Sequence, residues 1–138
     1  MKKILLVLVG IFIVLQCIPV DRRNPPTTQE IAAPAQIQAM LRHSCYDCHS
    51  NQTIWPWYSY VAPVSFLLSH DVKEAREHLN FTEWNRYSVE AQADLIEEAV
   101  EEVEAGEMPL PAYQTMHPDK RVSTQQLEQL KSWAGKIE

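Results

Sequence analysis

Apolar residues recur in this chain at helical spacing in several separate stretches, and few β-branched runs alternate in twos as a strand would. Val64, Leu68, Val72, Ala75 and Leu79 fall on one face of a segment that Pro63 opens. After "NFTEWNRY", Ser88 is placed to cap a helix running to about Ala105, with Gly106 as its stop. Ala91, Leu95, Ile96, Ala99 and Val103 would be its buried stripe. A last helix is expected from Ser123, where S-T-Q-Q has capping-box form, turning Leu127, Leu130 and Trp133 inward. An earlier one covers "QIQAMLRHS", its start placed near Thr27 by the capping-box spacing of Thr27 and Glu30. Three glycines and nine prolines add nothing that favours a sheet. The expectation is a small all-α domain with one long loop from Gly106 to Val122.

The N-terminus reads differently. Lys2 and Lys3 precede an apolar run from Ile4 to Val20, broken only by Gly10, Gln16 and Cys17. Seventeen residues would span roughly 26 Å as a helix, near the lower limit for a bilayer core. No A-x-A cleavage pattern follows, and "IVLQC" lacks the small residues that normally precede a lipidated cysteine. An uncleaved membrane anchor over residues 1–20 therefore fits best, with a cleaved signal and a lipid on Cys17 as the other readings. All three deliver the rest of the chain to the outer, or periplasmic, face of the cytoplasmic membrane. Residues 21–34, "DRRNPPTTQEIAAP", read as a linker, and residues 35–138 as the domain.

Charge excludes one class of partner. Four Lys/Arg against Asp21 give residues 1–23 a charge of +3, leaving eight Lys/Arg against seventeen Asp/Glu, or −9, for the remainder. Phosphate binding needs a basic face, so nucleic acid is not expected. Eight acids and no base lie between residues 88 and 107, the pattern of a solvated helix face.

The chemistry concentrates at Cys45-Tyr46-Asp47-Cys48-His49. A C-x-x-C redox disulfide belongs at the strand-to-helix turn of an α/β fold, and no strand pattern is present to host one. A structural zinc site needs four ligands, and no second cysteine knuckle completes the set. Covalent haem attachment requires C-x-x-C-H: two thiols for the two vinyl groups, and a histidine placed beside them as axial ligand. With three cysteines and five histidines in the chain, roughly 0.002 accidental matches are expected, so chance is a poor explanation. One covalently bound haem c per chain is the expectation, held by Cys45, Cys48 and His49.

For the sixth iron position the candidates are Met40, Met108, Met116, His43, His70, His78 and His117. Met108 is preferred, because "GEMPLPAY" follows a helix stop and Pro109 stiffens a loop able to lay a thioether over the ring. Met116 and His117 lie in the same loop, and His70 falls opposite its helix's apolar stripe. Trp55, Trp57, Tyr58 and Tyr60, close behind the motif, are expected to wall the haem from water, with Trp84 and Trp133 as plain core.

The block "CYDCHSNQTIWPWYSYVAPVSFLLSHDVKEAREHLNFTEW", with "EEVEAGEMPLPAYQTMHPDKRVS" after it, resembles the small haem-binding-domain family of exported bacterial proteins, itself similar to class I cytochromes c. The resemblance covers roughly residues 14 to 136 and implies that Cys45, Cys48 and His49 carry the haem. It also matches Met108-Pro109 to the usual distal pair of class I cytochromes. Cys17 departs from the pattern of an anchor and leaves lipidation open. The resulting expectation is a membrane-tethered monohaem cytochrome c that exchanges single electrons with redox partner proteins and is not an enzyme. The alternative is a peroxidase or a gas or redox sensor whose sixth iron position is open.

Overall fold

Both helix starts that carry a serine cap in the sequence are used. Ser88 Oγ accepts from Ala91 N at 3.3 Å, and Ser123 Oγ accepts from Gln126 N at 3.3 Å while Gln126 Oε1 accepts from Ser123 N at 2.8 Å. The structure is a computed structural model describing residues 1–137, and among these residues it is all-helical without a strand. Six α-helices follow in order: α1 (Lys2–Gln16), α2 (Ala35–Ser44), α3 (Val64–His78), α4 (Val89–Ala105), α5 (Pro111–Met116) and α6 (Thr124–Ala134). Short 3-10 turns cover Trp57–Tyr60, Trp84–Arg86 and Pro118–Lys120. Gly106 ends α4 at φ 77°, a left-handed conformation that glycine adopts without steric cost.

α6 packs on α4 and on α2, and α3 packs on the 57–60 turn. The core between them centres on Phe81, which stacks on Tyr46 at 5.7 Å and on Trp84 at 6.3 Å between ring centroids. Ile31, Leu41, Ile96 and Leu130 close around it, each at most 2% exposed. Burial of an aliphatic side chain of that size contributes about 1.5–3 kcal/mol, so these few residues supply much of what orders the helices. Trp84 is buried and Trp133 packs partly buried on the same cluster, as expected of plain core.

Three expectations need correction. The N-terminal helix α1 has 15 residues, about 22 Å, against a bilayer core of about 30 Å. Among the described residues no helix is long and apolar enough to cross a membrane. The reason is local: α1 stops at Cys17, and Pro19 can neither donate to a further turn nor let Ile18 stay helical. No residue of α1 is buried, and Gln16 closes it by bonding both backbone groups of Ala62, to O at 3.3 Å and from N at 3.0 Å.

Thr27 and Glu30 do not form a capping box. α2 begins at Ala35 behind Pro34, with no side-chain cap, because residues 28–31 run extended beside 81–83 instead. Thr28 N donates to Thr82 O at 3.0 Å and Ile31 N to Phe81 O at 2.8 Å, while Glu30 accepts from Arg42 and from Gln52. Residues 21–34, the expected linker, lie along the domain. Ser69 Oγ donates to Asp21 O at 2.7 Å, and Arg76 Nη1 to Arg23 O at 3.0 Å. The stretch from Gly106 to Val122, expected as one loop, contains α5, with Pro111 at its first turn where a missing N–H costs nothing.

Candidate functional site

The motif occupies the turn that leaves α2. Cys45 N still donates to Leu41 O at 2.8 Å, and Cys48 N and His49 N both return to Cys45 O, at 3.1 and 2.9 Å. This curls the loop so that Cys45, Cys48 and His49 all line one cavity of about 490 Å³, within the roughly 300–1,000 Å³ of cofactor pockets. Leu79, Phe81, Leu95, Ala99, Val103 and Pro109 supply its apolar walls, and Met108 lines it as well.

His49 is held from behind. Its Nδ1 lies 3.0 Å from Leu79 O. A carbonyl only accepts, so Nδ1 carries the proton and Nε2 keeps its lone pair, the tautomer that a metal-ligating histidine needs. Burial pushes the imidazole's proton affinity down, against hydrogen bonds to backbone carbonyls that raise it, so the ring stays neutral. Phe81 N donates to His49 O at 2.9 Å, and the two rings approach to 6.2 Å.

A polar strap fixes this loop. Asn80, 1% exposed, donates to Asn51 Oδ1 at 2.8 Å and accepts from Thr82 N at 3.0 Å and Thr82 Oγ1 at 2.8 Å. Thr82 Oγ1 in turn accepts from Asn51 N at 2.8 Å. Arg76 adds Nε to Ser50 O at 2.7 Å and Nη2 to Thr53 Oγ1 at 2.8 Å. Buried polar groups of this kind must be paired; the bonds of Asn51, Ser50 and Thr53 to Asn80, Thr82 and Arg76 bind residues 49–53 to 76–82, and the Asn80–Thr82 bonds brace the second segment internally.

Both cysteines are free thiols, and burial pushes each up to about 12, with the neighbouring Cys48 thiol adding to Cys45 and Asp47 and Asp71 to Cys48. Redox and metal-thiolate cysteines are tuned in the opposite direction, toward thiolate. Among the described residues no group of three or more His, Cys, Asp or Glu is placed to hold a metal ion. The donors on the cavity are the His49 imidazole, held neutral, the His78 imidazole at its rim, two protonated thiols and the Met108 thioether, among largely apolar walls. That set fits a haem, which Cys45, Cys48, His49 and Met108 are placed to hold.

The candidates for the sixth position separate in space. Met108 is half-buried on the cavity wall, whereas Met40 is 4% exposed in the core and Met116 is 54% exposed away from it. His70 is exposed, His43 bonds Asp119 O at 2.8 Å, and His117 bonds Tyr58 Oη at 2.8 Å. His78 does line the cavity, paired with Glu98 at 3.0 Å. The expected aromatic wall is elsewhere: Trp55, Trp57 and Tyr58 do not line the cavity, and Trp57 is 73% exposed. Ile54–Pro56 carry the chain away from it, and the 57–60 turn packs on α3 instead.

Phe81 and Tyr113 provide the aromatic surface that the sequence reading assigned to Trp55, Trp57 and Tyr58. Tyr113 was findable, since Leu110-Pro111 marks a helix start whose third residue is Tyr113. Phe81 carried no such signal, because its position depends on the strap. The cavity is lined by Asp71, Glu74, Glu98 and Glu102 and, among the described residues, by no lysine or arginine.

No curated protein and no solved structure is significantly similar to the chain. A family description is, and it spans nearly the whole sequence: residues 10–136 match the sequence model of the haem-binding domain, so the chain belongs to the haem-binding domain family.

Proposed function

We propose that this haem-binding protein is a monohaem c-type cytochrome that passes single electrons between redox partner proteins. The observation that carries the reading is the gathering of Cys45, Cys48, His49 and Met108 on one apolar cavity. A bound haem supplies a one-electron iron couple. Each thiol would add across a vinyl double bond, forming a C–S bond while its hydrogen goes to the other vinyl carbon, so the attachment consumes no oxidant. Their protonated state suits that addition. His49, fixed by Leu79 O, would hold the iron through Nε2, and Met108 would supply a soft, neutral sulfur to it. The walls exclude water and so favour the less charged ferrous form. The protein performs no group chemistry in this reading.

The test is retention of haem. From a host competent in haem c maturation, denatured protein extracted with acid-acetone should keep its haem on the polypeptide. Complete release would refute covalent attachment. Cys45→Ser and Cys48→Ser should each lower holoprotein yield.

We also place the domain on the outer face of the cytoplasmic membrane. The support is α1, which opens on Lys2 and Lys3, is apolar from Ile4 to Leu15 and has no buried side chain. Its exposed surface serves export and shallow membrane association in this reading, and the exposed Cys17 is a site for lipid. Fatty-acid labelling that disappears in Cys17→Ala identifies a lipoprotein; an unlabelled, cleaved product identifies a signal. A cytoplasmic apoprotein rules out this location.

One observation favours a second reading. His78 and Glu98 pair at 3.0 Å on the same cavity, where an acid–base pair would serve a haem with an open sixth position in a peroxidase or gas sensor. Reduced protein that is five-coordinate and takes up carbon monoxide readily would select it over electron transfer.

A further inference from the structure

The segment from Glu107 to Val122 brings Met108 to the cavity, yet it buries little of its own apolar surface. No residue of α5 is buried, and Leu110, Pro111 and Met116 are exposed. Pro109 is buried at its start and Val122 packs on the core cluster at its end; between these two points what holds it down is polar. Tyr113 Oη donates to Asp47 Oδ2 at 2.6 Å, and Lys120 Nζ lies 3.2 Å from the same oxygen. The Lys120 and Asp47 side chains are only 19% and 16% exposed, so water screens this pair weakly. His117, whose ring stacks on Tyr113 at 4.4 Å, adds the contact to Tyr58. Asp47 stands between the two cysteines, which makes the attachment loop itself the receiving end.

We propose that Asp47, Tyr113 and Lys120 form a clasp that keeps the Met108 segment seated over the cavity. They are positioning residues for the sixth ligand and set how readily outside ligands reach the iron. The proposal rests on the haem reading above. None of the three belongs to the hydrophobic core cluster, so loosening them frees the segment without dismantling the fold. Burial, then the Asp47 hydrogen bond, raise Tyr113 far above the ordinary tyrosine range, so it stays protonated and keeps donating. A hydrogen bond to a charged acceptor corresponds to on the order of tenfold or more in an opening equilibrium. With no buried apolar anchor in α5, that factor passes directly into the open population.

The test uses full-length, haem-loaded protein and Tyr113→Phe, which keeps the ring and removes only the hydroxyl. The ferric variant should take up imidazole on the order of tenfold faster than wild type, and trypsin should cut after Arg121 faster by a similar factor. The thermal midpoint should move little. Asp47→Asn, which still offers an oxygen to Tyr113, should fall between the two. Wild-type rates for both imidazole uptake and cleavage in Tyr113→Phe overturn the clasp. Should Tyr113→Phe fail to accumulate, Lys120→Met carries the same expectation, and wild-type rates there overturn the clasp equally. A wild-type spectrum without the sulfur-to-iron charge-transfer band removes Met108 ligation. The cleavage rate then decides the clasp by itself: faster cutting in the variant supports it, and equal cutting overturns it.

Discussion

The attachment loop and the Met108 segment face the same cavity, but they are held by different kinds of structure. Residues 45–53 are tied to 76–82 by buried amides, hydroxyls and a guanidinium, with Asn80, Thr82, Ser50 and Phe81 each at most 1% exposed. Residues 107–122 carry one buried residue, Pro109, and are tied to the rest of the domain by Tyr113, His117, Lys120 and Asp119. The first arrangement is stiff because every opening exposes unpaired buried groups. The second opens at the loss of a few part-exposed bonds. On the proposed reading, the rigid half would hold the haem and His49, and the soft half would set how firmly Met108 reaches the iron.

The comparison breaks most readily at Asn80. Asn80→Ala deletes three hydrogen bonds in a site closed to water and leaves Asn51 and Thr82 short of partners. The expected loss is about 3 kcal/mol or more of stability, with reduced holoprotein yield. Thermal unfolding of haem-loaded protein checks it. A loss below about 1 kcal/mol would mean that the strap is not what stiffens this half.

Met108→Ala probes the soft half. A half-buried methionine truncated to alanine should cost on the order of 1–2 kcal/mol, less than a fully buried one. On the proposed reading the larger effect is electronic: an iron without that thioether would lose a ligand that favours the ferrous state, so the potential should fall and the ferric sulfur-to-iron band should disappear. Met116→Ala and His70→Ala should change neither reading, since both side chains are exposed away from the cavity. If instead the wild type lacks the band and His70→Ala or His117→Ala alters the spin state, the sixth ligand is a histidine.

The clasp gives the soft half a pH dependence with a definite sign. Tyr113's folded value lies above its ordinary 10, so the folded state holds the proton that the unfolded or open state releases. Its contribution is complete below pH about 10 and declines as pH climbs from there. Imidazole uptake should therefore accelerate above pH 10 in wild type and show a weaker rise in Tyr113→Phe. Equal slopes for the two proteins would detach the alkaline response from Tyr113.

The two halves also differed in how much of them was legible beforehand. That Cys45, Cys48 and His49 share one cavity was readable because five consecutive residues in one turn cannot part far, and the Ser88, Gly106 and Ser123 signals marked helix ends because caps act within four residues. Met108 was reachable through Gly106 and Pro109, again local features. The aromatic wall was not. Trp55 and Trp57 are close to the motif in sequence, but Phe81 and Tyr113 reach the cavity only once residues 28–31 have paired beside 81–83 and α5 has docked on Asp47. Nearness along the chain stood in for nearness in space, and long-range hydrogen bonds decided otherwise. The membrane span failed for a related reason, since counting apolar residues to Val20 ignored what Pro19 does to the helix.

The smallest expected effect lies on the rim between the two halves. Asp71, Glu74, Glu98 and Glu102 line the cavity, and no lysine or arginine among the described residues does. A carboxylate favours ferric over ferrous iron because the oxidised centre carries one more positive charge. At some 10 Å through water-like dielectric one such charge is worth about 0.4 kcal/mol, or ~18 mV. Salt screens charges at that range, with a Debye length of about 30 Å at 0.01 M and roughly 3 Å at 1 M. Raising ionic strength should thus lift the potential by a few tens of millivolts at most, in the sense that relieves the rim. Glu98→Gln and Glu102→Gln, isosteric and on the cavity-facing side of α4, should each raise the potential at low salt by about the single-charge amount and reduce its salt slope. A slope unchanged in the double variant would show that these carboxylates do not reach the iron, leaving the potential to the axial ligands and the apolar walls.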